Sequence, residues 1–131
     1  MQQSFNPYAC VGDSIRWERA GFHLQARIEY DLDSRPEDQG RDPEDPQYGE
    51  QNAAICKAWQ NVEWLYCGIV VSASYKGVRV ADHAASLWGI ECNFPGSDNS
   101  YLNEVAAELE SEALVAASEA LHDLRRRICG A

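Results

Sequence analysis

Basic residues are scarce in this 131-residue sequence, which has 11 lysines and arginines against 21 aspartates and glutamates and a formal net charge of −10. A protein that binds nucleic acid directly needs a basic surface to displace the counterions of the phosphates. The composition therefore argues against DNA or RNA as a direct ligand and favours a protein partner with a basic surface. The length predicts one domain, residues 1–131, with a substantial core.

Paired cysteines are also lacking, because the five cysteines are odd in number and form no Cys-x-x-Cys motif. A disulfide scaffold or a zinc site normally uses short, paired spacings, so we expect neither. The first ten residues contain no basic segment followed by an apolar one, as a secretion signal would. No apolar run is long enough to span a membrane, and we expect a reduced protein in the cytoplasm.

Catalytic motifs are missing as well. The sequence contains no glycine-rich phosphate loop, no His-Glu-x-x-His motif and no Gly-x-Ser-x-Gly motif. Asp82 and His83 are adjacent and Cys92 follows them, so a small enzyme that uses these three residues is one alternative. Because no third group is placed to orient a base, we predict no catalysis, no cofactor and no metal site.

The longest apolar run, residues 64–75, is rich in Val, Ile, Tyr and Trp. This composition predicts a strand that is buried along most of its length. Lys76 and Gly77 predict a hairpin turn, since glycine accepts a positive φ without a steric clash. Val78 and Val80 then predict the returning strand. We expect this hairpin to form the centre of the fold.

The remaining segments complete an α+β domain. Residues 13–19 and 22–32 alternate between apolar and polar side chains, which predicts two strands, the second with one buried and one wet face. A short helix is predicted over 51–62, and a further strand over 86–91 after a turn at Asp82 and His83. Residues 101–128 have the helical period. The predicted fold is a mostly antiparallel sheet of about five strands, with the short helix and the long C-terminal helix packed on it.

Acidic residues are concentrated in two places, of which the first is the segment 33–50. It holds three prolines and two glycines and has almost no apolar side chains. Such a segment cannot bury enough surface to offset the entropy of ordering, so we expect a long mobile loop. A solvated linker is the simplest interpretation, and an acidic interaction surface is the alternative. Its candidate partner-binding residues are Glu37, Asp38, Asp42, Glu44 and Asp45.

The second concentration lies on the predicted C-terminal helix. At 100° per residue, five acids fall within about 100° of one another, and residues 101–124 contain no lysine or arginine. We call these five residues the acidic ridge: Glu104, Glu108, Glu112, Glu119 and Asp123. Like charges four residues apart repel, and they stand about 6 Å from each other along the axis, near the spacing of successive phosphates. The ridge is either ordinary soluble surface or an imitation of a phosphate backbone.

Four runs carry a resemblance to other sequences: residues 12–17 (GDSIRW), 26–29 (ARIE), 82–91 (DHAASLWGIE) and 96–102 (GSDNSYL). They resemble runs in small bacteriophage and prophage accessory proteins of unassigned function. Small acidic phage proteins include anti-CRISPR and anti-restriction inhibitors, several of which mimic nucleic acid. The resemblance thus implies a non-catalytic inhibitor in the host cell cytoplasm, which binds a basic nucleic-acid-binding surface of a host defence complex, with a CRISPR effector preferred. A structural or regulatory phage module that acts through the polar face of 22–32 is another alternative.

Overall fold

The structure, a computed structural model, describes residues 3–129 and shows an α+β fold. Four strands form one antiparallel sheet in the order β1-β2-β3-β4. The strands are β1 (Ser14–Arg19), β2 (Phe22–Tyr30), β3 (Leu65–Tyr75) and β4 (Val78–Cys92). The helices are a short 3-10 helix (Pro36–Gln39), α1 (Gly49–Gln60) and α2 (Ser100–Ile128). No helix within residues 3–129 is long and apolar enough to cross a membrane.

The hairpin of β3 and β4 lies at the centre of the fold, as the sequence predicts. Every residue of β3 from Tyr66 to Ala73 is buried. Lys76 and Gly77 both have positive φ, 48° and 83°. This is the backbone conformation of a two-residue hairpin turn whose twist matches that of the flanking strands.

The predicted count of about five strands is wrong, because the expected turn at Asp82 and His83 does not interrupt β4. Both residues lie inside this 15-residue strand, which continues to Cys92. The pairing of β4 with β3 shifts register at three places, so extra residues bulge out without ending the strand. As an edge strand, β4 can expose polar side chains while it stays in the sheet. The sequence showed the polar residues but not the edge position.

The alternation predicted for 22–32 is confirmed through its first four apolar positions. These buried residues are Phe22, Leu24, Ala26 and Ile28. The strand itself ends at Tyr30, and Tyr30 and Leu32 are exposed. Asp31, which the alternation places on the wet face, is buried instead. The pattern fails here because the chain leaves the sheet and no longer alternates between its faces.

Helix α2 covers one face of the sheet and packs mainly on β3 and β4. Its fully buried side chains are small or aliphatic: Leu102, Val105, Ala106, Ala113 and Ala117. The alanines let the helix approach the sheet closely, and the core lies between the two layers.

Among residues 3–129, the opposite face of the sheet is covered only at one end. There a smaller aromatic cluster forms, in which Trp64 makes edge-on contacts with Tyr66 and Phe94, at ring-centroid distances of 5.0 and 5.1 Å. The Trp64 indole N–H donates to the Ile55 carbonyl, which joins α1 to this cluster. Towards the β3-β4 turn, the same face carries polar side chains such as Gln25 and Ser74.

Candidate functional site

All five residues of the acidic ridge are exposed on α2. Within residues 3–129, only Asp123 has a cationic partner, the Arg126 guanidinium at 3.1 Å. No Lys, Arg or His nitrogen of the described chain lies within 4 Å of the other four carboxylates. The sequence therefore predicted correctly that these residues share one helix face, and the fold leaves four of them without internal partners.

A sixth acid of the same helix behaves differently. Glu110 faces the sheet and pairs with Arg19 at the end of β1, with its side chain only 21% exposed. The fold thus supplies a cation to the acid that points towards β1, and it supplies none to the four at the ridge. The four ridge acids lack partners because their side chains point into solvent, and not because the protein has no arginine nearby.

An open groove of about 590 Å³ runs between the ridge and β4. One wall consists of His83, Ala84 and neighbouring residues of β4, and the other of Glu112, Val115 and Glu119. Val115 is 60% exposed, so the α2 wall carries an apolar side chain between two carboxylates. A long basic side chain could lay its aliphatic stem against Val115 while its charge meets the acids.

Two acidic side chains of the 33–50 segment accept hydrogen bonds from nearby backbone N–H groups, which the acids of the ridge do not. The Asp42 carboxylate accepts the Glu44 N–H at 2.9 Å. The Asp45 carboxylate accepts the N–H groups of Tyr48 and Gln47 at 2.9 and 2.8 Å, and these bonds lower the pKa of Asp45. Glu37, Asp38 and Glu44 are exposed and make no side-chain hydrogen bond within the described chain.

Arg41 ties this segment to the sheet face opposite α2. Its guanidinium donates to both carboxylate oxygens of Glu91 on β4, at 3.1 and 3.2 Å, and stands 4.3 Å from the centre of the Phe94 ring. The Cys56 thiol donates to the Arg41 carbonyl at 3.2 Å. The predicted loop residues and the ridge therefore lie on different sides of the sheet and do not form one surface. The mobility of the segment stays a prediction.

Asp31 is a structural residue that the sequence pattern placed wrongly. Its carboxylate accepts hydrogen bonds from the N–H groups of Asp33, Ser34 and Gly89 and from the Ser34 hydroxyl, at 2.8–3.2 Å. Burial by itself would raise the pKa of Asp31, but the Ser34 hydroxyl and the three backbone donors together lower it. Asp31 thus fastens the beginning of the acidic segment to β4.

Beside this anchor, Trp88 rests on Gly68 of β3. A Cβ atom on Gly68 would overlap the indole ring, so this position requires glycine. The following residue, Gly89, has φ +74° in the bulge and donates to Asp31. Trp88 remains 43% exposed. In the sequence, the only signal was the single glycine, Gly68, next to a β-branched run. Such a glycine indicates that another group packs closely against the strand, but it does not show that this group is Trp88.

The structure does not bring Asp82, His83 and Cys92 together. Asp82 pairs with Arg79 at 3.1 Å, and His83 is exposed at the groove beside α2. Cys92 is fully buried nine residues further along β4, roughly 30 Å away in an extended strand. Its thiol donates to the Ala9 carbonyl at 3.9 Å. The neighbouring Cys92 thiol, together with burial, raises the pKa of the Cys67 thiol. Within residues 3–129, no group of three or more His, Cys, Asp and Glu side chains could hold a metal ion.

Comparison with known proteins finds no matching family model, no matching curated protein and no matching solved structure. The relation to bacteriophage proteins therefore stays a prediction.

Proposed function

We propose that this protein is a non-catalytic binding protein that presents the acidic ridge of α2 to a basic surface of a partner. The observation that supports the proposal is the set of four exposed carboxylates without an internal cation: Glu104, Glu108, Glu112 and Glu119. Like charges at this spacing repel one another on a helix, so the arrangement does not serve the stability of α2. A partner that brings arginines or lysines would relieve this repulsion.

The pitch of the ridge supports a nucleic-acid-binding surface as the target. Carboxylates four residues apart on a straight helix repeat about every 6 Å, so they can occupy positions prepared for phosphates. The groove beside Glu112 and Glu119 adds an apolar strip at Val115, which suits the stem of a long basic side chain. Such an interface should associate rapidly, and its affinity should fall as salt is added.

The finer proposal concerns biological role. A phage-encoded inhibitor that binds a host defence complex in the host cytoplasm, with a CRISPR effector as the preferred target, fits an acidic ridge of this kind. This step depends on the resemblance of the sequence to small phage proteins. The exposed acids Glu37, Asp38 and Glu44 are a second, separate surface for the same purpose, since they lie away from the ridge.

The test begins with a pull-down from a bacterial lysate, followed by competition with short duplex DNA. With the captured partner, the double variant Glu108→Gln/Glu112→Gln is compared with Glu50→Gln/Glu63→Gln, which removes the same charge from exposed positions outside α2. The ridge variant should bind more weakly by about 1–3 kcal/mol, roughly 5- to 150-fold, because charges that meet desolvated arginines are lost. The control should bind within about twofold of the wild type.

Two other outcomes decide against the ridge. If both double variants weaken binding equally, only the net charge matters. If the ridge variant binds normally to a partner whose binding depends on salt, the interface lies elsewhere. The triple variant Glu37→Gln/Asp38→Asn/Glu44→Gln then tests the loop while it spares the turn-forming carboxylates of Asp42 and Asp45. Normal binding by this variant too would show that mimicry is wrong for this protein.

A further inference from the structure

A cavity of about 380 Å³ lies where β3 and β4 meet the beginning of α2. Its wall includes Tyr66 on β3 and Glu91 on β4, which the strand register places opposite each other. The segment between β4 and α2 supplies Phe94, and α2 supplies Tyr101, its second residue. Three aromatic side chains and a carboxylate therefore line one cavity, whose volume lies in the range of small-molecule sites.

Tyr66 carries one of the two buried side-chain polar atoms that have no hydrogen-bond partner within residues 3–129. The other is the indole nitrogen of Trp17, which belongs to the core beneath α2. Tyr66 is only 1% exposed. Native proteins satisfy nearly all such groups, because a hydroxyl that is removed from water without a partner destabilises the fold. A ligand in the cavity would supply the missing partner.

The Tyr66 hydroxyl is a hydrogen-bond donor that the fold holds in place. Trp64 contacts the Tyr66 ring edge-on, at 5.0 Å between the ring centroids, and this contact fixes the ring within the aromatic cluster. Burial, followed by the charge of Glu91, raises the pKa of Tyr66 to about 12. The hydroxyl therefore keeps its proton at neutral pH and can donate to a carbonyl oxygen.

Glu91 supplies the complementary group, a fixed acceptor. Arg41 donates to both of its carboxylate oxygens, at 3.1 and 3.2 Å, and so orients the carboxylate. An ionised carboxylate has about four acceptor positions, so Glu91 can still accept a hydrogen bond from a ligand N–H. The cavity wall thus offers one donor and one acceptor, on neighbouring strands.

The charge around the cavity favours a neutral ligand over an anion. Among residues 3–129, no lysine, arginine or histidine lines this cavity, whereas Glu91 does. An anion would therefore meet a carboxylate, in a protein whose formal net charge is already −10. A neutral, flat ring avoids this repulsion, and it can pack against the aromatic side chains of Phe94 and Tyr101.

We propose that this cavity binds a neutral planar heterocycle in which a ring carbonyl stands next to a ring N–H, as in a free nucleobase. The carbonyl accepts from the Tyr66 hydroxyl, the N–H donates to Glu91, and the ring packs against Phe94 and Tyr101. Because such a ligand carries no phosphate, the shortage of basic residues does not oppose its binding. The site is independent of the acidic ridge, whose residues do not line this cavity.

The test is a titration of the full chain with uracil, followed by calorimetry and by the backbone amide signals of Ile90, Glu91 and Tyr101 in NMR spectra. Uracil should saturate, and these signals should move. Dimethyluracil, which is methylated on both ring nitrogens, keeps the carbonyls but has no N–H to donate. It should bind at least about fivefold more weakly, because Glu91 then receives no hydrogen bond. Inorganic phosphate, added at constant ionic strength, should not saturate.

The variant Tyr66→Phe separates ligand binding from folding, since it removes only the hydroxyl. It should weaken uracil binding by about fivefold or more. It should leave the melting temperature unchanged or raise it, because the hydroxyl has no partner within the described chain. The control is Tyr48→Phe, which removes a hydroxyl from an exposed residue of the 33–50 segment and should change affinity by less than about twofold.

Several results would overturn the proposal. Uracil that does not saturate by about 10 mM, or that moves only signals away from the cavity, would show that no such site exists. Equal binding of dimethyluracil would remove the role of Glu91. Saturation by phosphate in place of uracil would assign the cavity to an anion. A lower melting temperature of Tyr66→Phe without loss of affinity would show that the hydroxyl bonds only to buried water.

Discussion

The two acidic regions of this protein are both rich in carboxylates, but their carboxylates have different structural roles. Along α2, Glu108 and Glu112 project into solvent from the interior of a helix, where the backbone groups bond to one another. In the 33–50 segment, Asp42 and Asp45 accept backbone N–H groups and shape turns. Asp31, just before that segment, is buried and joins it to β4. Charge density in the sequence therefore does not distinguish an acid that forms a turn from one that is free to meet a partner.

The difference has a physical origin. A segment without a regular backbone ladder must satisfy its N–H groups by other means, and short acidic side chains do this well. A long helix satisfies its own interior backbone, so its acidic side chains have no such duty. The comparison makes the ridge the better candidate for binding and the loop acids the better candidates for stability.

The largest effect should come from Asp31→Asn. It should lower the free energy of unfolding by about 2–3 kcal/mol, because the amide cannot accept from all four donors that now surround the carboxylate. Urea denaturation at neutral pH measures the change. The matched control is Asp33→Asn, whose exposed side chain makes no hydrogen bond within the described chain. Equal losses from the two variants would show that the carboxylate of Asp31 is not the anchor.

The same carboxylate predicts a pH dependence. Its folded-state pKa lies below the ordinary value of 3.8. Asp31 therefore contributes its full stabilisation above the unfolded pKa and loses it as the pH falls through the lower, folded value. The difference in unfolding free energy between wild type and Asp31→Asn should thus shrink below about pH 4. A difference that stays constant down to pH 2 would contradict this assignment.

A smaller effect is expected from Arg41→Gln, which removes the half-buried pair with Glu91 and the contact with Phe94. We expect a loss of about 1–2 kcal/mol in unfolding free energy, because Glu91 is left without its cation. Hydrogen exchange should become faster in residues 33–50 and stay unchanged in α2. Arg35→Gln is the control. Rapid exchange of 33–50 in the wild type as well would support the predicted mobile loop and reduce the importance of the Arg41 contacts.

The smallest effect, and the only stabilising one, should come from the ridge. Glu108→Gln/Glu112→Gln removes two repulsive i,i+4 contacts and should raise the unfolding free energy by about 0.4–1 kcal/mol. Glu110→Gln is the comparison within the same helix, and it should not stabilise, since it breaks the pair with Arg19. Thermal denaturation at low salt separates the two. A ridge variant that is less stable than the wild type would mean that these carboxylates have structural partners.

Local sequence signals predicted much of the fold, and they failed where distant segments meet. The period of two in 22–32 and the Lys76-Gly77 turn are properties of neighbouring residues. The turn is confirmed, and the period is confirmed as far as Ile28. The break expected at Asp82 did not occur, because the pairing of β4 with β3 continues through its bulges. The ridge could be listed from helical spacing alone.

The sequence by itself determined the central hairpin, the long helix and the set of acids along one helix face. Each of these follows from the periods of helix and strand and from the conformational freedom of glycine. Only the tertiary structure decided which acids have partners, because the cations of Glu110 and Glu91 come from residues 91 and 50 positions away in the chain. Contacts over such separations depend on how strands and helices pack, and no local pattern encodes them.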